Sequence, residues 1–145
     1  MNQQESSPAK AQNKDVVLQS AIDEIAELCS RELLYNFFRA GGLNVIGSPE
    51  VFAIYFEKEN RMLVYTNLDD DRCEVRCIYS AILHVLDYAK TEGASFNVFG
   101  DNVVCVMDEV MIEGKTYDMA AAAAIVLNAV KKENYKIVRS QKRSV

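Results

Sequence analysis

Ser95-Phe-Asn-Val-Phe99, Gly100-Asp101-Asn102, Val103-Val-Cys-Val-Met107 and Val110-Met-Ile112 run into Gly114-Lys115-Thr116 and a long alanine-rich segment from Tyr117 to Lys132. The first two apolar runs flank a turn of the kind that closes a tight hairpin. Val110 to Ile112 either continues the second strand or forms another. Thr116 is a side-chain acceptor placed to cap the following helix, and Asp118 sits favourably in its first turn. A hairpin feeding directly into a helix points to an α+β fold with antiparallel pairing.

Upstream, the apolar residues Leu18, Ile22, Ile25, Cys29, Leu33 and Phe37 recur at steps of three or four, which predicts one long amphipathic helix from Asp15 to Ala40. Gly41-Gly42 ends it, because a left-handed C-terminal position costs glycine little. A short Leu43–Ile46 segment and a Gly47-Ser48-Pro49 turn follow. Val51–Phe56 and Met62–Thr66 are β-rich and separated by Glu57-Lys58-Glu59-Asn60, so they are expected to pair antiparallel. Asn67 to Asp71 offers carboxylates to the start of a second helix with the stripe Val75, Ile78, Ile82, Leu86 and Ala89, closed by Gly93. The expected order is α-β-β(-β)-α-β-β(-β)-α, and no internal repeat is evident.

The 145 residues, half of them hydrophobic, suit one domain with a real core. We assign 1–14 to a disordered polar lead-in, 15–138 to the single α+β domain and 139–145 to a basic C-terminal tail. The net charge of -5 is uneven: residues 131–145 carry six Lys and Arg against Glu133, which leaves about -10 on the remainder. Such a body repels nucleic acid, and the basic end reads as a frayed, solvated terminus, with contact to an acidic partner as the alternative. Residues 1–14 lack the apolar centre of a signal peptide and no run has the length of a membrane span, so a cytoplasmic protein without a membrane partner is expected.

Candidate chemistry is thin. Cys29, Cys73, Cys77 and Cys105 lie within apolar periodic segments and read as reduced, buried thiols. Cys73 and Cys77 share a helical face, but zinc needs two further ligands and His84 is the sole histidine; no metal and no cofactor are expected. Gly114-Lys115-Thr116 resembles the end of a phosphate-binding loop, yet Glu109 stands where that loop needs its first glycine. Ser80, His84 and Asp87 would line one helix surface, where side chains project in parallel instead of converging on a substrate. Asp69-Asp70-Asp71 lacks the spaced ligands and glycine of a calcium loop and is explained by helix initiation. No catalytic residues are assigned.

Two apolar features remain. Phe52, Tyr55 and Phe56 are assigned to a groove for a partner segment, with core packing as the plainer use of the same residues. In the last helix Met119, Ala122, Ala123, Val126 and Val130 mark a face, packed on the chain's own sheet or forming a dimer seam through Val126 and Val130.

Ala53-Ile-Tyr-Phe-Glu-Lys-Glu-Asn-Arg-Met-Leu-Val-Tyr-Thr66, Tyr79 to Ala89, Phe96-Asn-Val-Phe-Gly-Asp-Asn-Val-Val-Cys-Val106, Val110-Met-Ile-Glu-Gly-Lys-Thr-Tyr117 and Tyr135-Lys-Ile137 form a pattern that resembles the YbjN family. These are bacterial proteins labelled sensory transduction regulators, which share their fold with class I type III secretion chaperones. The resemblance implies a twisted antiparallel sheet flanked by helices, usually dimeric, with apolar grooves for an extended segment of another protein. The resulting expectation is a non-enzymatic, chaperone-like or regulatory homodimer that binds another protein. The alternative is a small-molecule sensor or enzyme with a pocket between helix and sheet, contacted by His84, Cys77 or Tyr79.

Overall fold

The computed structural model of the chain describes residues 16–56, 61–65 and 75–140, with side chains except at 56, 61–65 and 75–80. Helix α1 (residues 16–27) precedes α2 (Ser30–Ala40) and the strands β1 (Asn44–Ser48), β2 (Val51–Phe56) and β3 (Arg61–Tyr65). Helix α3 (Val75–Thr91) leads to β4 (Ser95–Phe99), β5 (Asn102–Met107) and β6 (Val110–Gly114), and α4 (Tyr117–Lys131) follows. All pairing is antiparallel, in the orders β1-β2-β3 and β4-β5-β6. The α+β class is as expected, but the strands form two three-stranded sheets instead of one. Helix α4 packs on β5 and β6 on one side and on α2 and α3 on the other; β1 rests on α2, and β3 touches α3. Each meander pairs only its own strands, and α3 carries the chain from one sheet to the other.

The helix expected from Asp15 to Ala40 breaks at Leu28-Cys29. Cys29 has extended backbone (φ -75°, ψ 169°), and its N–H donates to Glu32 Oε1 at 3.0 Å. A carboxylate three residues into a helix that reaches back to the N-cap amide is half of a capping box, so α2 starts afresh there. The turn after β1 is Pro49-Glu50, since Gly47 and Ser48 pair with Phe52 and Val51. Helix α3 buries Ala81, Val85 and Ala89, a face about one residue round from the expected stripe, while Ile82 and Leu86 are half-buried. Residues 66–74, including the carboxylates read as a helix start, lie outside the described residues.

Helix α4 has no exposed face at its centre: every residue from Ala120 to Asn128 is buried. A helix apolar all round belongs inside a fold. Glycine at the end of β6 is what its close approach to α4 demands, because a Cβ on Gly114 would lie 2.6 Å from the Ala120 nitrogen. Thr116 caps α4 as expected, its Oγ accepting the Met119 N–H at 3.3 Å.

The fold contains a repeat that the residues conceal. Both α2 and α3 end in the same cap, with Gly42 (φ 77°) and Gly93 (φ 76°) in the left-handed position. The N–H of Leu43 donates to Phe38 O at 3.1 Å and that of Ala94 to Ala89 O at 2.9 Å, the six-residue closure of a Schellman motif. Aligned on these glycines, β1 matches β4, the Pro49-Glu50 turn matches Gly100-Asp101, and β2 matches β5. Phe52 and Ile54 face inward as Val103 and Cys105 do. Phe37 and its equivalent Tyr88 touch edge to face with ring centres 5.7 Å apart. Helix α4 ends in a third such cap, in which Glu133 (φ 60°) takes the glycine position and the Asn134 N–H reaches Ala129 O at 3.0 Å.

Candidate protein-binding surface

Strand β4 is Ser95-Phe-Asn-Val-Phe99, paired with β5 along one edge residue by residue from Ser95↔Val106 to Phe99↔Asn102. Among the described residues its other edge has no strand partner. A sheet edge presents unpaired N–H and C=O groups, and proteins guard such edges with charge, proline, bulges or a covering element. Strand β4 holds no charged residue and no proline, and its register is unbroken. Val98 is 60% exposed and Phe99 65% exposed. Phe96 alone turns under the sheet, stacking edge to face on Tyr117 with centres 5.4 Å apart. The turn that follows places Gly100 at φ 59°, which glycine supplies without strain and which keeps β4 and β5 tightly joined.

A second polar constellation lies on α2. Asn36 is fully buried, and all four hydrogen-bonding capacities of its amide are used. Nδ2 donates to Glu32 O at 2.7 Å and to Val138 O at 2.8 Å; Oδ1 accepts from Tyr135 OH at 2.6 Å and from Val138 N at 2.8 Å. One side chain that takes both the N–H and the C=O of a residue reads it as a strand neighbour would, in extended conformation. Glu32 Oε2 accepts the Ser140 N–H at 2.8 Å, and Arg139 pairs with Glu27 at 2.8 Å. Residues 135–140 are thus strapped across α1 and α2. Burial raises the Glu32 carboxyl, but the hydrogen bonds from Ser140 and Cys29 outweigh it and hold the group below its ordinary value. Burial pushes the Tyr135 hydroxyl up to about 12, keeping it a donor to Asn36.

The residues expected to form a site are placed apart. Phe52 is 1% exposed and stacks edge to face on Tyr35 at 5.2 Å, so its surface serves the core instead of a groove. Tyr55 is half-buried on the opposite face of β2, and the side chain of Phe56 lies outside the described residues. Val126 is 0% exposed within the chain's own core and offers no surface to a dimer seam; Val130 is half-buried beside the strap. His84 packs against the rings of Phe37 and Phe38, with centres 6.3 and 5.8 Å away, and Asp87 is exposed. The side chains of Ser80, Cys77 and Tyr79 lie outside the described residues. Cys105 is buried and its thiol pushed up to about 11 by desolvation, which leaves it unreactive near neutral pH. Among the described residues no three His, Cys, Asp or Glu gather as metal ligands, and no helix is long and apolar enough to cross a membrane.

Family models, curated proteins and solved structures show no match to the chain. The site is therefore read from its own geometry. Sequence reasoning missed both features. The signal for β4 was present in a strand with no charge; the signal for Asn36 was a lone amide within the apolar run Leu33 to Phe38.

Proposed function

We propose that the chain is a non-enzymatic protein-binding module that takes up a partner segment as an added strand along β4. The observation that carries this reading is the unguarded edge itself: uncharged, free of proline, unbroken in register and exposed at Val98 and Phe99. In strand addition, main-chain hydrogen bonds supply affinity and alternate side chains supply selectivity. The acidic body keeps such a complex soluble and favours a segment of low negative charge. This reading agrees with the chaperone-like or regulatory role implied by the YbjN resemblance, in a cytoplasmic setting, and it moves the partner surface from Phe52 to β4.

Val98→Lys tests it, since a lysine on an edge strand opposes pairing without reaching the core. Tagged wild-type and Val98→Lys chains are used to capture partners from native cytoplasm, with light scattering on each purified protein. A stoichiometric partner retained by the wild type and lost from a folded Val98→Lys chain is expected. A partner held equally by both, or a wild type that retains none, overturns the reading. A dimer that becomes monomeric in Val98→Lys identifies the added strand as β4 of a second copy.

A further inference from the structure

We infer that the strand added along β4 is β4 of a second copy of the chain, paired antiparallel about a two-fold axis through Asn97. This rests on the reading of β4 as the binding edge and names its occupant. The register follows from the turn. Phe99 and Asn102 close the two-residue turn Gly100-Asp101, and the pair that closes such a turn exchanges both of its main-chain hydrogen bonds. Alternation then directs the N–H and C=O of Ser95, Asn97 and Phe99 toward β5, and those of Phe96 and Val98 toward the open edge. Two copies of β4 exchange bonds only where outward residues meet outward residues. One such two-fold setting overlaps the whole strand: Phe96 faces Val98 of the second copy, Val98 faces its Phe96, Asn97 faces its Asn97, and Ser95 faces its Phe99.

The side chains suit this setting. Val98 pairs with Val103 and so lies on the same side of the sheet as Phe96 and the buried Cys105, yet it is 60% exposed. The cause is the reach of α4, which packs on β5 and β6 and covers the margin of the sheet only where Tyr117 meets Phe96. In the two-fold setting each Val98 meets the Phe96 of the other copy, with an exposed Tyr117 behind each ring, so both valines leave water on the side where the core lies. On the opposite side the two Asn97 amides meet, and an amide carries both donor and acceptor, so identical groups can pair. Strand β4 holds no charge, so two chains of net charge -5 approach where neither repels the other. A pairing of five residues buries less than the roughly 1,000 Å² of a stable interface, so the dimer is expected to dissociate on dilution.

Asn97→Cys in the full chain tests the register, since Asn97 is exposed and outside the core. Facing residues of a non-hydrogen-bonded antiparallel pair have Cα atoms about 4.5 Å apart, within reach of a disulfide. The two copies of residue 95 lie four residues out of register, about 13 Å along the strand. Mild oxidation is expected to link Asn97→Cys chains through residue 97, with the bond located by mass spectrometry, and to leave Ser95→Cys chains unlinked at residue 95. Adding Val98→Lys to Asn97→Cys is expected to slow the linking about tenfold. Light scattering on the unoxidised wild type is expected to show a dimer that falls to monomer on dilution. A wild type that is monomeric at every concentration overturns the inference, as does linking at residue 95 as fast as at residue 97. If that monomer captures a partner that Val98→Lys loses, the β4 edge reading stands with a different occupant; if it captures none, both fall.

Discussion

The unit α2-β1-β2-β3 and the unit α3-β4-β5-β6 share a plan and differ in how their first strands are guarded. In the first unit the helix ties down its own strand: Tyr35 OH donates to Gly47 O at 3.4 Å and Arg31 Nε to Pro49 O at 2.8 Å. On the shared alignment Tyr35 corresponds to Leu86 and Arg31 to Ile82, neither of which can make such a bond. Strand β1 also contains Gly47 at φ 108°, where a Cβ would collide with Val51 O, so its course is bent away from regular strand geometry. Strand β4 has neither the tether nor the bend. The same backbone plan yields one first strand tied to its helix by side chains and one without such a tie.

The comparison breaks most severely at the third strands. Gly114 ends β6 where Tyr65 ends β3, and Gly114 lies flush against the Ala120 backbone. Gly114→Ala forces a methyl group against the Ala120 backbone and is expected to cost about 3 kcal/mol or more, read as a lower urea midpoint at constant slope. A cost under about 1 kcal/mol shows that α4 can slide on β6. Next in size is Tyr35→Leu, which gives the first unit the second unit's residue. It removes a donor and a stacked ring against Phe52, so a loss of about 2 kcal/mol is expected, with faster amide exchange across β1 and unchanged exchange across β4. Equal effects on both strands contradict the tether.

Much of this plan was legible. The hairpins, the Thr116 cap and the glycines that end α2 and α3 follow from local chemistry, and local chemistry is what a short stretch of residues records. The repeat was not legible, because over Ser30–Phe56 aligned with Ala81–Met107 the residues coincide at Gly42 and Gly93 alone. What the units share is a left-handed cap and an alternation of burial, and many side chains satisfy both. The break at Cys29 was hidden because cysteine stands where a cap is usually serine or threonine, so the apolar period ran on through it. Asn36 was hidden by distance: its partners Tyr135 and Val138 lie at the other end of the chain. The dimer seam at Val126 failed for a physical reason, since a small-residue helix is as well suited to the middle of a fold as to a surface contact.

The matched caps sharpen the comparison on a smaller scale. Gly42 and Gly93 have near-identical left-handed φ, and a Cβ at either meets nothing within 4 Å. Gly42→Ala and Gly93→Ala therefore probe backbone strain alone and are each expected to cost about 1 kcal/mol. The double variant is expected to lose the sum, because the caps share no partner. Unequal costs in thermal or urea melts break the equivalence of the two helix ends.

The third cap supplies the smallest effect and the one with opposite sign. Glu133 holds the left-handed position at φ 60° with a side chain that is exposed, and it closes the same hydrogen bonds that Gly42 and Gly93 close. A residue with a Cβ pays for that conformation and glycine does not, so Glu133→Gly is expected to stabilise the chain by somewhat under 1 kcal/mol. Glycine also widens the unfolded ensemble, which offsets part of the gain. Removing a carboxylate beside the negative end of α4 adds to the gain, since an anion there opposes the helix dipole. The expected readout is a small rise in melting temperature. A fall means that the entropy of the unfolded chain outweighs strain at this cap, and that the third helix end, although built on the same hydrogen bonds, is not strained as its φ implies.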